Sequence, residues 1–124
     1  MSKRAVLLTL STVAFAALQT GCGEKSVTYQ ADVKPILDAN CTSCHEPGGA
    51  GHTKSGLRTD SYDGLMKGTR FGAVVVPGSS VSSTLYILVA GKADPSIRMP
   101  HGKTALPDAD IATIAAWIDQ GAKN

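Results

Sequence analysis

Aromatic side chains are scarce: six in 124 residues, namely Phe15, Tyr29, Tyr62, Phe71, Tyr86 and Trp117. Phe15 lies in an N-terminal segment with a separate fate, so five rings must serve the whole interior. That is thin for a domain core and leaves room for a large non-protein body to fill it. Long hydrophobic runs are missing too. The apolar stretch Ala5 to Leu18 is fourteen residues, short of the ~20 a membrane-spanning helix needs. There is no excess of one charge: Lys+Arg is 12 against Asp+Glu 10, and Lys3 and Arg4 account for the whole difference. A strongly basic nucleic-acid binder is thereby excluded. No internal repeat and no glycine-rich phosphate loop is present. Cysteine is limited to Cys22, Cys41 and Cys44. With 18% charged and 43% hydrophobic residues, the composition is that of one globular domain.

Lys3-Arg4 followed by Ala5 to Leu18 has the form of an export signal, a charged start and then a short apolar core. Two endings are open. Ala14-Phe15-Ala16 suits ordinary cleavage after Ala16. Leu18-Gln19-Thr20-Gly21-Cys22 resembles a bacterial lipobox, in which Cys22 becomes the acylated first residue; Gln19 stands where an aliphatic residue is usual. The cysteine count favours lipidation, because Cys41 and Cys44 pair off in one motif and Cys22 is otherwise a stray exported thiol. The expected organisation is a signal over 1–21, a tether over 22–28 and one domain over 29–124. The protein is placed outside the cytoplasm, as a membrane-anchored lipoprotein on the periplasmic side.

Beyond the tether the pattern is helical. Val33, Ile36 and Leu37 make one apolar stripe, with Asp32 as the expected cap, Pro35 in the first turn and the helix running to about Asn40. Residues 46–56 hold Pro47, Gly48, Gly49, Gly51 and Gly56 and read as a loop. Asp60 or Ser61 caps a short helix over Tyr62 to Lys67, closed by Gly68. Pro77-Gly78 marks a turn, and Ser82 or Ser83 opens a helix to about Ala90 with Leu85, Leu88 and Val89 on its buried face. Residues 93–106 are irregular. Pro107 and Asp108 start the strongest helix, whose stripe is Ile111, Ile114, Ala115 and Ile118, ended by Gly121. The expected fold is all-α, three to four short helices with long loops.

Cys41-Thr42-Ser43-Cys44-His45 is the strongest signal. Cys-x-x-Cys-His is the attachment motif of c-type haem. On a helical turn, residues three and four apart share a face. Cys41 and Cys44 then reach the two vinyl groups along one porphyrin edge, and His45 points to the same side to ligate iron. Three other readings fit less well. A thioredoxin-type redox pair needs a βαβ setting, which is absent. A structural zinc site needs four ligands, and Cys41, Cys44 and His45 would have to recruit His52. A disulfide between Cys41 and Cys44 closes too small a loop to stabilise much.

Asp32-Val33-Lys34-Pro35-Ile36-Leu37, then the pentapeptide, then Leu57-Arg58, Pro77-Gly78, Met99-Pro100 with Gly102, and Trp117-Ile118 with Gly121-Ala122, resemble in order the small bacterial class I c-type cytochromes. The resemblance covers about Tyr29 to Ala122. It implies a cytochrome c-like fold wrapped around one covalently bound haem c. It also implies that the distal iron ligand is a Met before Pro, which is Met99. His101 is the rival distal ligand, and His52, in the glycine-rich stretch, a weaker one; Met66 reads as packing. Trp117 reads as packing between first and last helices, Tyr62 as packing and Arg58 as a solvated charge. The implied activity is one-electron transfer rather than catalysis, by transient docking to redox partner proteins, with a membrane tether through Cys22 and no nucleic acid. Two other classes stay open: a haem sensor or enzyme with an open or His-ligated sixth position, and a zinc-binding module.

Overall fold

The computed structural model describes Gly23 and residues 25–124; the export segment, with both of its possible processing points at Ala16 and Cys22, lies outside the described residues. Five α-helices follow in order: α1 Lys34–Asn40, α2 Ala50–Ser55, α3 Tyr62–Lys67, α4 Thr84–Val89 and α5 Asp108–Asp119. A π-helical turn over Tyr29–Val33 leads into α1, and 3₁₀ turns occupy Ser80–Ser82 and Pro95–Ile97. The described residues contain no strand, only a single bridge between Thr69 and Gly72. The all-α expectation holds, with one helix more than the sequence reading gave.

That extra helix is α2, inside the stretch read as a loop. Its glycines are the reason it was missed and the reason it forms. Gly49 stands before it in extended conformation, and Gly56 ends it at φ 78°, a left-handed position that favours glycine. The Ser55 hydroxyl donates to the Gly51 carbonyl at 2.7 Å and Thr53 to that of Gly49 at 3.0 Å, closing the short helix with side chains. A second correction concerns the start of the domain. The cap is Thr28, not Asp32: Thr28 Oγ1 accepts from the Ala31 N–H at 3.3 Å, while the Asp32 carboxylate accepts the Thr28 N–H at 3.0 Å. This reciprocal pair resembles a capping box. The Thr28 N–H, with Lys25 at 3.0 Å, holds Asp32 below the usual carboxylate range.

The other elements start and stop for the reasons their sequences suggest. Ser61 accepts the Gly64 N–H at 3.2 Å to open α3, and Gly68 closes it. Before α4 the buried Ser83 hydroxyl donates to the Ser79 carbonyl and accepts the Val76 N–H, each at 2.8 Å. Asp108 and Asp110 lie in the first turn of α5, where the dipole favours acids. At its other end the Gly121 N–H reaches the Ile118 carbonyl at 2.9 Å and the Ala122 N–H that of Trp117 at 2.8 Å, a Schellman closure.

The core gathers Tyr29, Val33 and Leu37 against Ile114, Trp117 and Ile118, with Leu65, Val74, Val75, Leu85, Val89 and Leu106 completing it. Tyr29 meets Tyr62 edge-on at 5.4 Å between ring centroids and Trp117 at 6.0 Å. The start of the described domain and the C-terminal segment close on each other here. The Lys123 carbonyl accepts both the Tyr29 N–H at 3.0 Å and Trp117 Nε1–H at 2.7 Å, and Tyr62 donates to the Ala122 carbonyl at 2.9 Å. Trp117 and Tyr62 thus pack as the sequence suggested, and Arg58 pairs with Asp60 at 2.7 Å. Residues of the expected tether are fastened as well: the Val27 N–H donates to Gln120 Oε1 at 2.8 Å.

Trp117→Phe removes the Nε1 donor and part of a fully buried ring. The expected loss is about 2–4 kcal/mol in denaturant melts of the holoprotein. Phe71→Ala, at a position 82% exposed, should stay within about 0.5 kcal/mol. A Trp117→Phe loss no larger than that of Phe71→Ala contradicts the role given to this ring.

Candidate functional site

α1 does not end abruptly. The Cys41 and Thr42 N–H groups both return to the Leu37 carbonyl, at 2.8 and 2.9 Å, and those of Cys44 and His45 to the Cys41 carbonyl, each at 3.0 Å. Helical turning therefore continues through the pentapeptide and puts Cys41, Cys44 and His45 on one side. All three line a single cavity of about 480 Å³. Its other walls come from Asn40, from α2, from Leu57, Thr59, Thr69 and Val74, and from α4 and the chain after it to Lys103, including Leu85, Leu88, Met99 and His101. Leu88 was expected to be fully buried; it is half-buried because it faces this cavity. Met99 is held by its N–H donating to the Leu88 carbonyl at 3.2 Å. Met66, in α3, is not among the lining residues and packs against the core.

The chemistry of the lining is specific. Both cysteines are free thiols. Burial pushes the Cys41 thiol up to about 11, against a smaller opposing pull from Lys103. Burial also lowers His45 below its ordinary value, so the ring is neutral at neutral pH and has a lone pair to give. No carboxylate lines the cavity; Lys54 and Lys103 are its fixed charges. Among the described residues no group of three or more His, Cys, Asp or Glu is placed to hold a bare metal ion. The tetrahedral zinc reading, with His52 recruited to Cys41, Cys44 and His45, therefore has no support in the geometry.

His45 is held from two directions. Its carbonyl accepts the Thr59 N–H at 2.9 Å. Thr59, buried, is itself tied by its carbonyl to the Tyr29 hydroxyl at 3.3 Å and by its Oγ1 to Thr42 Oγ1 at 3.2 Å. The Leu57 backbone lies beside the ring and favours its protonated form, yet Nδ1 is buried without a hydrogen-bond partner. With a metal on Nε2 the proton must sit on Nδ1, the nitrogen that faces protein rather than cavity. From the other direction comes Gly51. A Cβ added there would lie 2.7 Å from Cε1, 2.8 Å from Nε2 and 2.9 Å from Nδ1 of His45. The bare Cα rests against the imidazole, and a side chain would fill that cradle.

These observations fit a haem c: two thiols and an imidazole on one turn, a thioether donor across an apolar cavity, and a buried imidazole nitrogen left for the proton. Thr59, Gly49 and Gly51 were not picked out from the sequence. The signal for the glycines was their distance from the motif, Gly49 five residues after Cys44 and Gly51 six after His45, but glycine clusters first suggest turns.

Gly49 makes the tightest approach. A Cβ there would stand 2.4 Å from the Cys44 carbonyl oxygen and 2.7 Å from its carbon. Both are backbone atoms, so the contact is relieved only by moving the motif or α2. Gly49→Ala should therefore cut covalent haem per polypeptide at least several-fold, read from the reduced absorption band against protein mass. Full loading in this variant would show that α2 need not sit where it does.

The profile of the family described as Planctomycete cytochrome C matches residues 41–101, from Cys41 of the pentapeptide to His101. Over 94 residues the chain is 30% identical to hydrazine synthase subunit alpha of Kuenenia stuttgartiensis. That match takes in 76% of this chain but spans only 10% of the relative's length. The solved structure of Kuenenia stuttgartiensis hydrazine synthase superposes with a TM-score of 0.53 at 24% identity, over 77% of this chain and 16% of that one. The likeness to it is one of fold. The family match makes this chain similar to cytochromes c over the stretch that starts at the pentapeptide and carries most of the cavity lining.

Proposed function

We propose that the protein is an extracytoplasmic c-type cytochrome with one haem, carrying one electron at a time between redox partner proteins. The observation that carries this reading is the single apolar cavity lined at once by Cys41, Cys44, His45 and Met99. Cys41 and Cys44 would hold the haem through thioethers, and His45 and Met99 would hold its iron. When bound, the haem supplies the one-electron couple. The chain's own residues do the rest. His45 presents a neutral ring, Met99 a thioether with no proton to lose, and Lys54 and Lys103 the positive charge suited to a plate bearing two carboxylates.

With both His45 and Met99 holding the iron, no coordination position would be left for a substrate, which favours electron transfer over catalysis. The named relative is an enzyme subunit, but this chain spans a tenth of it, and its reaction is not carried over. Docking would use a small, short-lived interface at the cavity mouth, as redox encounters do. Cytochrome c domains are typically exported, in keeping with the Lys3-Arg4 signal. Acylation at Cys22 would tether the domain, since several chains on one residue bind membrane far better than one. Among the described residues no helix is long and apolar enough to cross a membrane.

Protein produced with periplasmic haem loading tests the ligand set. The ferric spectrum should carry the weak far-red band of Met–iron ligation. Met99→Ala should lose that band, bind carbon monoxide or imidazole, and reduce at a lower potential, within the ~0.8 V range that axial ligands command. His101→Ala should change little. An unchanged Met99→Ala spectrum beside a high-spin His101→Ala protein would move the distal role to His101.

Cys22→Ser should shift the protein from the membrane to the soluble fraction with its haem intact. Intact mass of the mature wild type decides the matter: a start at Ala17 without acyl mass ends the lipoprotein reading.

A further inference from the structure

In α2, the backbone of Gly51 lies directly against the His45 imidazole. A Cβ there would come within 2.9 Å of three ring atoms of His45, all closer than carbon contacts allow. Such a clash is relieved in one of two ways: the helix lifts or the ring turns. α2 is anchored at both ends against lifting. At its start the His52 N–H donates to the Cys44 carbonyl at 2.9 Å, and Gly49 sits closely on that same carbonyl. At its far end the Arg70 N–H donates to the Ser55 carbonyl at 2.9 Å, and Arg70 Nη2 to that of Thr53 at 2.7 Å. The ring is freer. Its carbonyl is tied to Thr59, while the Leu57 backbone beside the ring makes no hydrogen bond to Nδ1 of a geometry that would fix the torsion of the imidazole. The helix is the fixed body and the ring the one that yields.

We propose that Gly51 is a positioning residue for the haem iron: by pressing a bare Cα on the imidazole, α2 sets the plane in which the His45 ring stands over the haem. The proposal rests on the reading of His45 as an iron ligand. A ligated ring that meets an obstacle can keep its bond to iron and rotate about it. Rotation leaves the ligand set unchanged and alters how the imidazole π orbital is aligned with the porphyrin axes. That alignment governs the spread of electron spin around the haem in the ferric state. Helix propensity works in the opposite direction to the clash, because Ala is a better helix former than Gly. A change seen in Gly51→Ala is therefore not a loss of helix.

The experiment compares ferric wild type, Gly51→Ala and Thr53→Ala holoproteins by proton NMR of the haem methyl resonances and by EPR. Thr53 is exposed on the same helix and is absent from the cavity lining, so its substitution raises helix propensity and gives up the hydroxyl bond to the Gly49 carbonyl without meeting the ring. Gly51→Ala should reorder or compress the methyl shifts and change the spread of g values, while covalent haem and the far-red Met–iron band remain. Thr53→Ala should match wild type. Methyl shifts and g values in Gly51→Ala that superimpose on wild type overturn the proposal. Should Gly51→Ala alone take up no haem, adding Arg70→Ala removes the Nη2 bond to Thr53, loosens the far end of α2 and should restore part of the loading; a double variant that also stays empty overturns it. A wild type without low-spin His–Met spectra defeats the underlying haem reading instead, a different result from unchanged spectra in the variant.

Discussion

The Cys44 carbonyl is the point on which the site depends. It accepts the His52 N–H at 2.9 Å and is approached so closely by Gly49 that no side chain fits between them. This one contact turns the chain back on itself immediately after the pentapeptide. It brings α2 beneath His45, and α2 in turn brings Gly51 to the ring and Lys54 to the cavity wall. A covalently attached haem needs its two thiols and its imidazole on one turn. The local helix supplies that arrangement, but a turn of five residues has little stability alone. The backbone of α2 on one side and Thr59 on the other hold it in place.

The second support is the aromatic cluster, and it explains why so few rings suffice. Tyr29, Tyr62 and Trp117 are spent together where the start of the described domain meets the C-terminal segment, and their polar atoms all find backbone carbonyls: Thr59, Ala122 and Lys123. The Tyr29 hydroxyl, pushed up to about 12 mainly by burial, stays a donor throughout the physiological range. Because its acceptor is Thr59, the core is mechanically continuous with the segment that carries the His45 carbonyl. The aliphatic residues Leu85, Leu88 and Val89 face the cavity instead. Rings frame the domain and aliphatic side chains line the cavity.

What was legible in the sequence were features with a local cause. Pro107, Asp108 and Gly121 bracket α5 because capping chemistry acts within a few residues of itself. The same holds for Ser61 and Gly68 around α3. The pentapeptide is legible because its spacing is its geometry. Asp32 was misassigned as a cap although it is part of the cap, reaching back to the Thr28 N–H; composition alone does not say which member of a reciprocal pair stands first. α2 was missed because Gly48, Gly49 and Gly51 have two opposite meanings. In a free segment they mean flexibility, and against a packed neighbour they mean close approach. Only the position of Cys44 and His45 in space separates the two, and that is set by contacts distant in sequence, such as Arg70 with Thr53.

The charge pattern carries the argument one step further. The chain as a whole is nearly neutral, but its charges are not evenly used. Lys25, Lys34 and Arg58 are each paired with an aspartate, at Asp32, Asp38 and Asp60. The cavity instead has Lys54 and Lys103 and no acid at all. Paired exposed charges contribute little to stability, so this division is better understood through the field it leaves. Those three cations are neutralised locally. At the cavity no acid does the same, and on the proposed reading a positive potential there would favour the reduced, less positive state of an iron centre by Coulomb's law. On the proposed reading, thioether ligation from Met99 would act in the same direction, and the tie of the His45 carbonyl to Thr59 would hold in place the backbone that carries the ring.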